Sequence, residues 1–408
     1  MTFNTSNNRL DVAVLLLIGF LFSLPSYASC IKGAISPHCG KTPTSIFDDT
    51  GKLWTAFVHQ QHVYVSHSSN LGKHFSTPVK VNPIPQKIYT NGENRPKILL
   101  GNKGNVFVSW TEKTPGRFTG DIHFSRSTDG GQHFDAVKTI NDDGLPIGHR
   151  FDAMSVTPSG IIYIAWLDKR DRVAAKKENP NYPGSSLYYA TSTDQGETFS
   201  NNIKVAEHTC ECCRIAITPT KKNNVEVMWR HIYPGGYRDH AITTLTPNSP
   251  LPSHRATVDK WKTDACPHHG PDIDYSNDSR THMVWFSNGT YHKGITYGQF
   301  SHQSNDTMKI ISIDDSPQAS HPQVKAFKGI VWVVWKSFEK DQSVIKYRFS
   351  LDNGSQWSSA QTIASTNEGS DHPLLLNNEK TLFISWHTNS EGLQLMPLNT
   401  NQTNVAKP

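Results

Sequence analysis

Charge is scarce in this chain and nowhere concentrated. Asp, Glu, Lys and Arg make up 18% of the 408 residues, the formal net charge is +5, and the basic residues do not run together. A nucleic-acid partner needs clustered lysine and arginine, so that class is set aside. Helical periodicity is nearly absent as well, which excludes a bundle of amphipathic helices. Long apolar runs are missing with one exception, Val12 to Leu24, which is too short to span a bilayer as a transmembrane helix. Arg9 precedes that run and Pro25-Ser26-Tyr27-Ala28 follows it, a small-x-small cleavage pattern. Residues 1–28 therefore read as a signal peptide and 29–408 as one mature domain, exported to the periplasm or the medium. A lipid anchor on Cys30 is disfavoured, because Tyr27 stands where lipoprotein signals carry an aliphatic residue. A monomer is expected.

Cysteine is also sparse. Six are present: Cys30, Cys39, Cys210, Cys212, Cys213 and Cys266. Export permits disulfides, and an even count of six allows about 15 pairings. Cys30 with Cys39 is the simplest local pair. The remaining hydrophobic content, 36%, is ample for a sizeable core.

What the chain does have is repetition. Ser127-Thr128-Asp129-Gly130-Gly131-Gln132-His133-Phe134 recurs as Ser192 to Phe199 and as Ser350 to Trp357, with a fainter copy, carrying Asn70, at Ser68 to Phe75. Ser-x-Asp-x-Gly-x-x-aromatic is a hairpin turn: the carboxylate caps turn amides and Gly supplies a positive φ. A second repeat is an apolar strand ending in an aromatic residue. These aromatics are Phe57, Trp110, Trp166, Trp229, Trp285, Trp335 and Trp386, spaced 53, 56, 63, 56, 50 and 51 apart. Four strands every fifty or so residues form a blade of a β-propeller. The expectation is an all-β propeller of four-stranded blades, seven favoured and six the alternative. The seventh unit shows only three strands, so an N-terminal strand over 31–35 is expected to close the ring and cover the exposed edge.

Four such turns in a propeller resemble the Asp boxes, or bacterial neuraminidase repeats, of the sialidase superfamily. The Cys210-Glu211-Cys212-Cys213-Arg214 motif, the Cys266-Pro267-His268-His269-Gly270-Pro271 segment and Arg238-Asp239 resemble a group of exported bacterial propellers labelled sialidase-like. The resemblance implies a site on the face opposite the boxes.

Counting back 14 to 16 residues from each aromatic gives Arg95, Arg150, Arg214, His269, His321 and His372. In a propeller these positions begin the inner strands and ring the channel mouth. Loops on the same face add Asp168, Arg230, Arg238, Asp239, Tyr291 and His387. A sialidase-like site holds a carboxylate with three arginines, whose planar forks match it bidentately. It works with a tyrosine nucleophile, a glutamate and an acid/base aspartate. The resemblance thus offers Arg95, Arg150 and Arg214 as clamp, supported by Arg230, Arg238 and Asp239. Glu93, Asp152, Asp168 and Tyr291 are its candidates for chemistry. The family's Arg-Ile-Pro order appears only as Arg95-Pro96, and its late Arg-Arg-Tyr order is replaced by histidines. A small anionic or glycan ligand, with exo-glycosidase activity as an extension, is the first reading. The second is a copper- or zinc-binding protein using His268, His269, His321 and His372 beside the cysteines. The third is a scaffold for a protein partner.

Overall fold

Each of the seven aromatic-ended segments becomes the second strand of an antiparallel sheet, and the seven sheets form a ring. The computed structural model describes residues 1–2, 30, 33–176, 178–301 and 308–400. The expected signal peptide lies outside the described residues apart from its first two. Blade three shows the pattern, with strands His149–Val156, Ile162–Asp168, Ser185–Ser192 and Ile203–Thr209 in meander order. The innermost strands of the other blades are Lys41–Phe47, Lys97–Leu100, Ala216–Pro219, Asp272–Tyr275, Ser320–Phe327 and Leu374–Asn377. The chain has one short α-helix among the described residues, Arg170–Ala175, within the insertion of blade three. No helix of the described residues is long and apolar enough to cross a membrane.

The second strands are apolar on both faces because each is pressed between two neighbouring blades. Side chains alternate across a strand. In blade two Val106, Val108 and Trp110 pack against blade one, whereas Phe107 packs against blade three. The buried clusters follow this logic around the ring, each joining two consecutive blades. Phe47 and Leu53 of blade one meet Leu376 and Phe383 of blade seven, which closes the circle.

Six blades have four strands and the seventh has three. Residues 33–35 form no strand, and 31 and 32 lie outside the described residues. The N-terminal segment nevertheless reaches blade seven, where His387 Nε2 donates to the His38 carbonyl at 3.1 Å. The Cys30–Cys39 disulfide ties that segment.

The Ser-x-Asp-x-Gly turns share one hydrogen-bond set. In the second copy Ser127 Oγ donates to Asp129 at 2.8 Å and accepts from the Gly131 amide at 2.8 Å. Two successive residues take left-handed φ in every copy, as at Gly130 (73°) and Gly131 (79°) or Asn353 (54°) and Gly354 (81°). The second glycine also sits in the seam between blades. A Cβ on Gly131 would lie 2.6 Å from the Trp54 ring of blade one, and one on Gly354 would lie 2.2 Å from the Tyr297 hydroxyl of blade five. The turn is therefore an inter-blade contact as well as a hairpin.

Gly130 and Gly131 separate these two roles, because a Cβ on Gly130 meets nothing within 4 Å. Gly130→Ala is expected to destabilise by about 1–2 kcal/mol, the left-handed penalty alone. Gly131→Ala adds an overpacking cost of about 1–3 kcal/mol. Equal losses in denaturant unfolding of the two variants would show that the seam is not tight at this turn.

Candidate functional site

The inner strands begin on the face opposite these turns, and the loops between second and third strands open there. Residues from six blades meet in a central throat, among them Glu93, Arg95, Arg214, His321 and His372, with Lys97, Asp152 and Asp272 in its wall. The cavity holds about 180 Å³. That is below the roughly 300–1,000 Å³ of small-molecule pockets.

Charge in the throat is paired internally. Glu93 is 6% exposed and accepts from the Arg214 amide at 2.7 Å and from Arg214 Nη1 at 3.1 Å. Arg214 Nη2 donates to the Pro322 carbonyl at 2.7 Å. Arg95 pairs with Asp371 at 2.7 Å, and its other nitrogens donate to the carbonyls of Pro43 and Gly92 at 3.1 and 3.2 Å. Lys97 pairs with Asp152 at 2.8 Å, and the hydroxyls of Ser109 and Thr111 donate to the same carboxylate at 2.7 and 3.0 Å. Pulling one partner out of such a buried pair costs about 3–5 kcal/mol, so Arg95 and Arg214 are not free to grip a ligand.

Burial disfavours the charged form of three histidines at the throat. Burial, reinforced by Arg230 and Arg214, lowers His269 to about 3. Burial also pushes His321 and His372 well below the usual imidazole range. Their two rings stack with centroids 3.4 Å apart, and His321 Nε2 donates to the His268 carbonyl at 3.1 Å. Gly92 makes room for this stack, since a Cβ there would lie 2.2 Å from His372 Nδ1. Burial likewise raises Asp272 in the throat wall to about 6.

Arg150 stands apart from the throat. Its guanidinium carbon lies 4.6 Å from the ring centres of Tyr89 and Phe151 and 5.6 Å from that of Phe118. No carboxylate pairs with it among the described residues, and its Nε is buried without a hydrogen-bond partner. Lys169 lies beside it, 5.7 Å from the Phe118 ring and 3.4 Å from Glu211. Burial first, then repulsion from Arg172 and Arg150, pushes the Lys169 ammonium down to about 8. Glu211 is also the partner of Arg172. Two cations, Lys169 and Arg172, thus share one carboxylate, and Arg150 beside them pairs with none among the described residues. Phe118 is 50% exposed at φ 60°, a backbone region that costs about 1–3 kcal/mol for such a residue and concentrates at ligand sites.

The residue before Arg150 anchors it. His149 is fully buried, with Nδ1 3.2 Å from Asp121 and Nε2 3.1 Å from Asp143, and Asp168 3.9 Å away. These carboxylates outweigh the burial and raise the imidazole from 6.5 to about 9.

The other sequence-derived candidates scatter. Asp168 is buried and already accepts from Trp166 Nε1 at 2.9 Å, the Arg170 amide at 2.8 Å and Arg170 Nε at 3.0 Å. Tyr291 is 56% exposed under Lys260 and lines no part of the throat. Glu93 and Asp152 reach the throat, so the four residues considered for chemistry do not converge. Arg230 is buried, donating to the carbonyls of Arg238, His269 and Phe286 at 2.8, 2.9 and 2.8 Å. Asp239 is buried and paired with Arg255. Arg238 donates to the Thr263 carbonyl at 3.2 Å and lies 3.6 Å from Cys210 Sγ. His268 is exposed. Cys210, Cys212 and Cys213 sit buried as thiols, and Cys266 is exposed and free. In the sequence Glu211 appeared only inside the Cys210–Arg214 motif, and Tyr89, Phe118 and Lys169 were not singled out. Their only signal there is a place in loops that open on this face.

No family model matches the chain, and no curated protein matches it by sequence. Solved structures do resemble it. An ulvan lyase solved with a bound -[GlcA(1-4)Rha3S]- saccharide matches at a TM-score of 0.56 and 10% identity, over 88% of this chain and 94% of that one. The polysaccharide lyase Uly1 matches at 0.53 and 9%, over 91% and 92%. A Hadza microbial sialidase matches at 0.47 and 14%, over 84% and 74%. At these identities the likeness to the two lyases bears on the fold alone, a seven-bladed propeller.

The His149 cluster has a pH signature. The shift from 6.5 to about 9 corresponds to on the order of 3 kcal/mol. A raised folded value means the contribution is complete below about pH 6.5 and is lost as pH rises through about 9. In denaturant unfolding, the stability gap between wild type and His149→Gln should shrink by that order across this window. A gap independent of pH would contradict a protonated His149.

Proposed function

We propose that this propeller is an exported protein that binds an acidic saccharide at its channel mouth, with the ligand's carboxylate or sulfate on Arg150 and Lys169. The carrying observation is the Arg150 guanidinium, set 4.6 to 5.6 Å from the centres of three aromatic rings and lacking a carboxylate partner among the described residues. A half-buried cation without a counter-ion is under-solvated, and an anion bound there recovers both charge and hydrogen bonds. Guanidinium is suited to such a place, because it stacks on rings while its edge stays open to a planar anion.

The exposed face of Phe118 gives a sugar ring an apolar wall. Glu211 is already claimed by Lys169 and Arg172, so the surplus charge at this corner is positive. The ulvan lyase with its bound GlcA–Rha3S unit supplies an analogy at the level of fold alone. Binding, rather than exo-glycosidase hydrolysis, is the reading the geometry supports, because Glu93, Asp152, Asp168 and Tyr291 do not face one reacting atom. The copper or zinc reading on His268, His269, His321 and His372 has less behind it. His268 is exposed, and the Glu93 carboxylate beside the stacked pair is held by Arg214.

Calorimetric titration of the full chain with a glucuronate-containing oligosaccharide, a sulfated one and a neutral one tests this. The acidic ligands should bind and the neutral one should bind far more weakly. Arg150→Ala should weaken the acidic ligands about 10- to 100-fold, the value of a charge-assisted hydrogen bond, with Arg150→Lys intermediate. Affinity should also fall as pH rises through about 8, where Lys169 loses its proton. Equal affinity for acidic and neutral ligands, or an Arg150→Ala variant that binds like wild type, would overturn the proposal.

A further inference from the structure

The acidic-saccharide reading leaves unused the three thiols in the seam between blades three and four. Cys210, Cys212 and Cys213 are 1%, 4% and 2% exposed. Cys210 Sγ lies 3.7 Å from Cys212 Sγ and 3.2 Å from Cys213 Sγ, and all three sulfurs fall within 4.8 Å of one another. They occupy the short segment that carries the chain from the outer strand of blade three to the inner strand of blade four. The Cys210 amide donates to the Arg230 carbonyl at 2.8 Å, which fixes the start of the motif against the neighbouring strand. Packing on all sides, by Phe151, Leu167, Leu187 and Trp229 among others, keeps water away.

From this geometry we infer that Cys210, Cys212 and Cys213 form a three-sulfur site for a monovalent soft cation, Cu(I). Soft thiolates select Cu(I), zinc and iron–sulfur clusters. The ligand count decides among these. Structural zinc takes four ligands in a tetrahedron, with Zn–S near 2.3 Å, and among the described residues no fourth cysteine, histidine or carboxylate joins the three sulfurs. Cu(I) accepts three thiolates in a plane. Sulfur separations of 3.2 and 3.7 Å need only a small outward adjustment to surround such an ion.

Charge balance supports the same assignment independently. Three thiolates and Cu(I) carry a net charge of −2. Two arginines without carboxylate partners among the described residues flank the group. Arg238 Nη1 is 3.6 Å from Cys210 Sγ. Arg230 spends its Nη atoms on carbonyls and leaves its Nε buried and unpartnered. Two such guanidiniums beside an apolar pocket are costly without an anion, and a −2 thiolate complex is that anion. Cys266 is exposed and outside the group, so it has no part in the site.

The test uses the full-length chain, reduced and metal-free, titrated with Cu(I) against a chromophoric Cu(I) chelator, with X-ray absorption on the loaded wild type. Expected are one Cu(I) retained per chain, a shell of three sulfurs, and a loss of about 100-fold or more in affinity for Cys212→Ser. Cys266→Ser should bind like wild type. The sulfur count is read on wild type, so it stands even where a serine variant folds poorly. The proposal is overturned if the chelator removes all the copper, if the shell is not three sulfurs, or if Cys266→Ser loses the ion. It is also overturned if the protein isolated from exporting cells carries a disulfide among Cys210, Cys212 and Cys213. Because Cys212 lies within electrostatic reach of Arg150, the saccharide titrations are run on metal-free protein, so that the saccharide reading stands or falls separately.

Discussion

Everything at the mouth depends on blades packing face to face until the ring closes. A blade cannot bury its second strand alone, because that strand is apolar on both sides. Each pair of neighbours shares one buried cluster, and the smallest of these is the closing one, with four buried residues. Polar links supplement it: Arg95 of the blade-two approach reaches Asp371 before blade seven, and His387 binds the His38 carbonyl. The arginines of the throat therefore serve the closure first. They hold distant parts of the chain together where a ligand-binding reading would have them waiting for a substrate.

That division explains how one face carries two kinds of arginine. Arg95 and Arg214 are saturated by carboxylates and carbonyls and act as struts. Arg150 sits on the same ring but is turned among Tyr89, Phe118 and Phe151, where no carboxylate of the described residues pairs with it. Its strand is pinned one residue earlier by the His149 cluster. The struts narrow the throat, and the proposed binding surface lies outward, at the corner of blades two and three.

The fold was legible in the sequence because it repeats. The aromatics from Phe57 to Trp386 mark the same strand in every blade, and a count of 14 to 16 residues back from them lands on the inner-strand openings. Pairing was not legible. Arg214 and Glu93 are 121 residues apart, and Arg95 and Asp371 are 276 apart, so no local pattern shows that these arginines are already occupied. Position in the ring could be read; the direction of each side chain could not. Asp168 and Tyr291 share a face with the throat, yet the first is capped by Arg170 and the second lies outside. The role of the turn glycines was half visible. Their positive φ follows from the motif, but the ring of the preceding blade pressed against Gly131 or Gly354 follows only from the closed structure.

The central claim is that Arg150 recognises an anionic group on a saccharide. A double-mutant cycle reads this directly: wild type and Arg150→Ala are each titrated with a glucuronate oligosaccharide and with its uncharged methyl ester. The account predicts a coupling energy of about 1.5–3 kcal/mol between the guanidinium and the carboxylate. Coupling indistinguishable from zero, with both ligands weakened equally by the substitution, would contradict it.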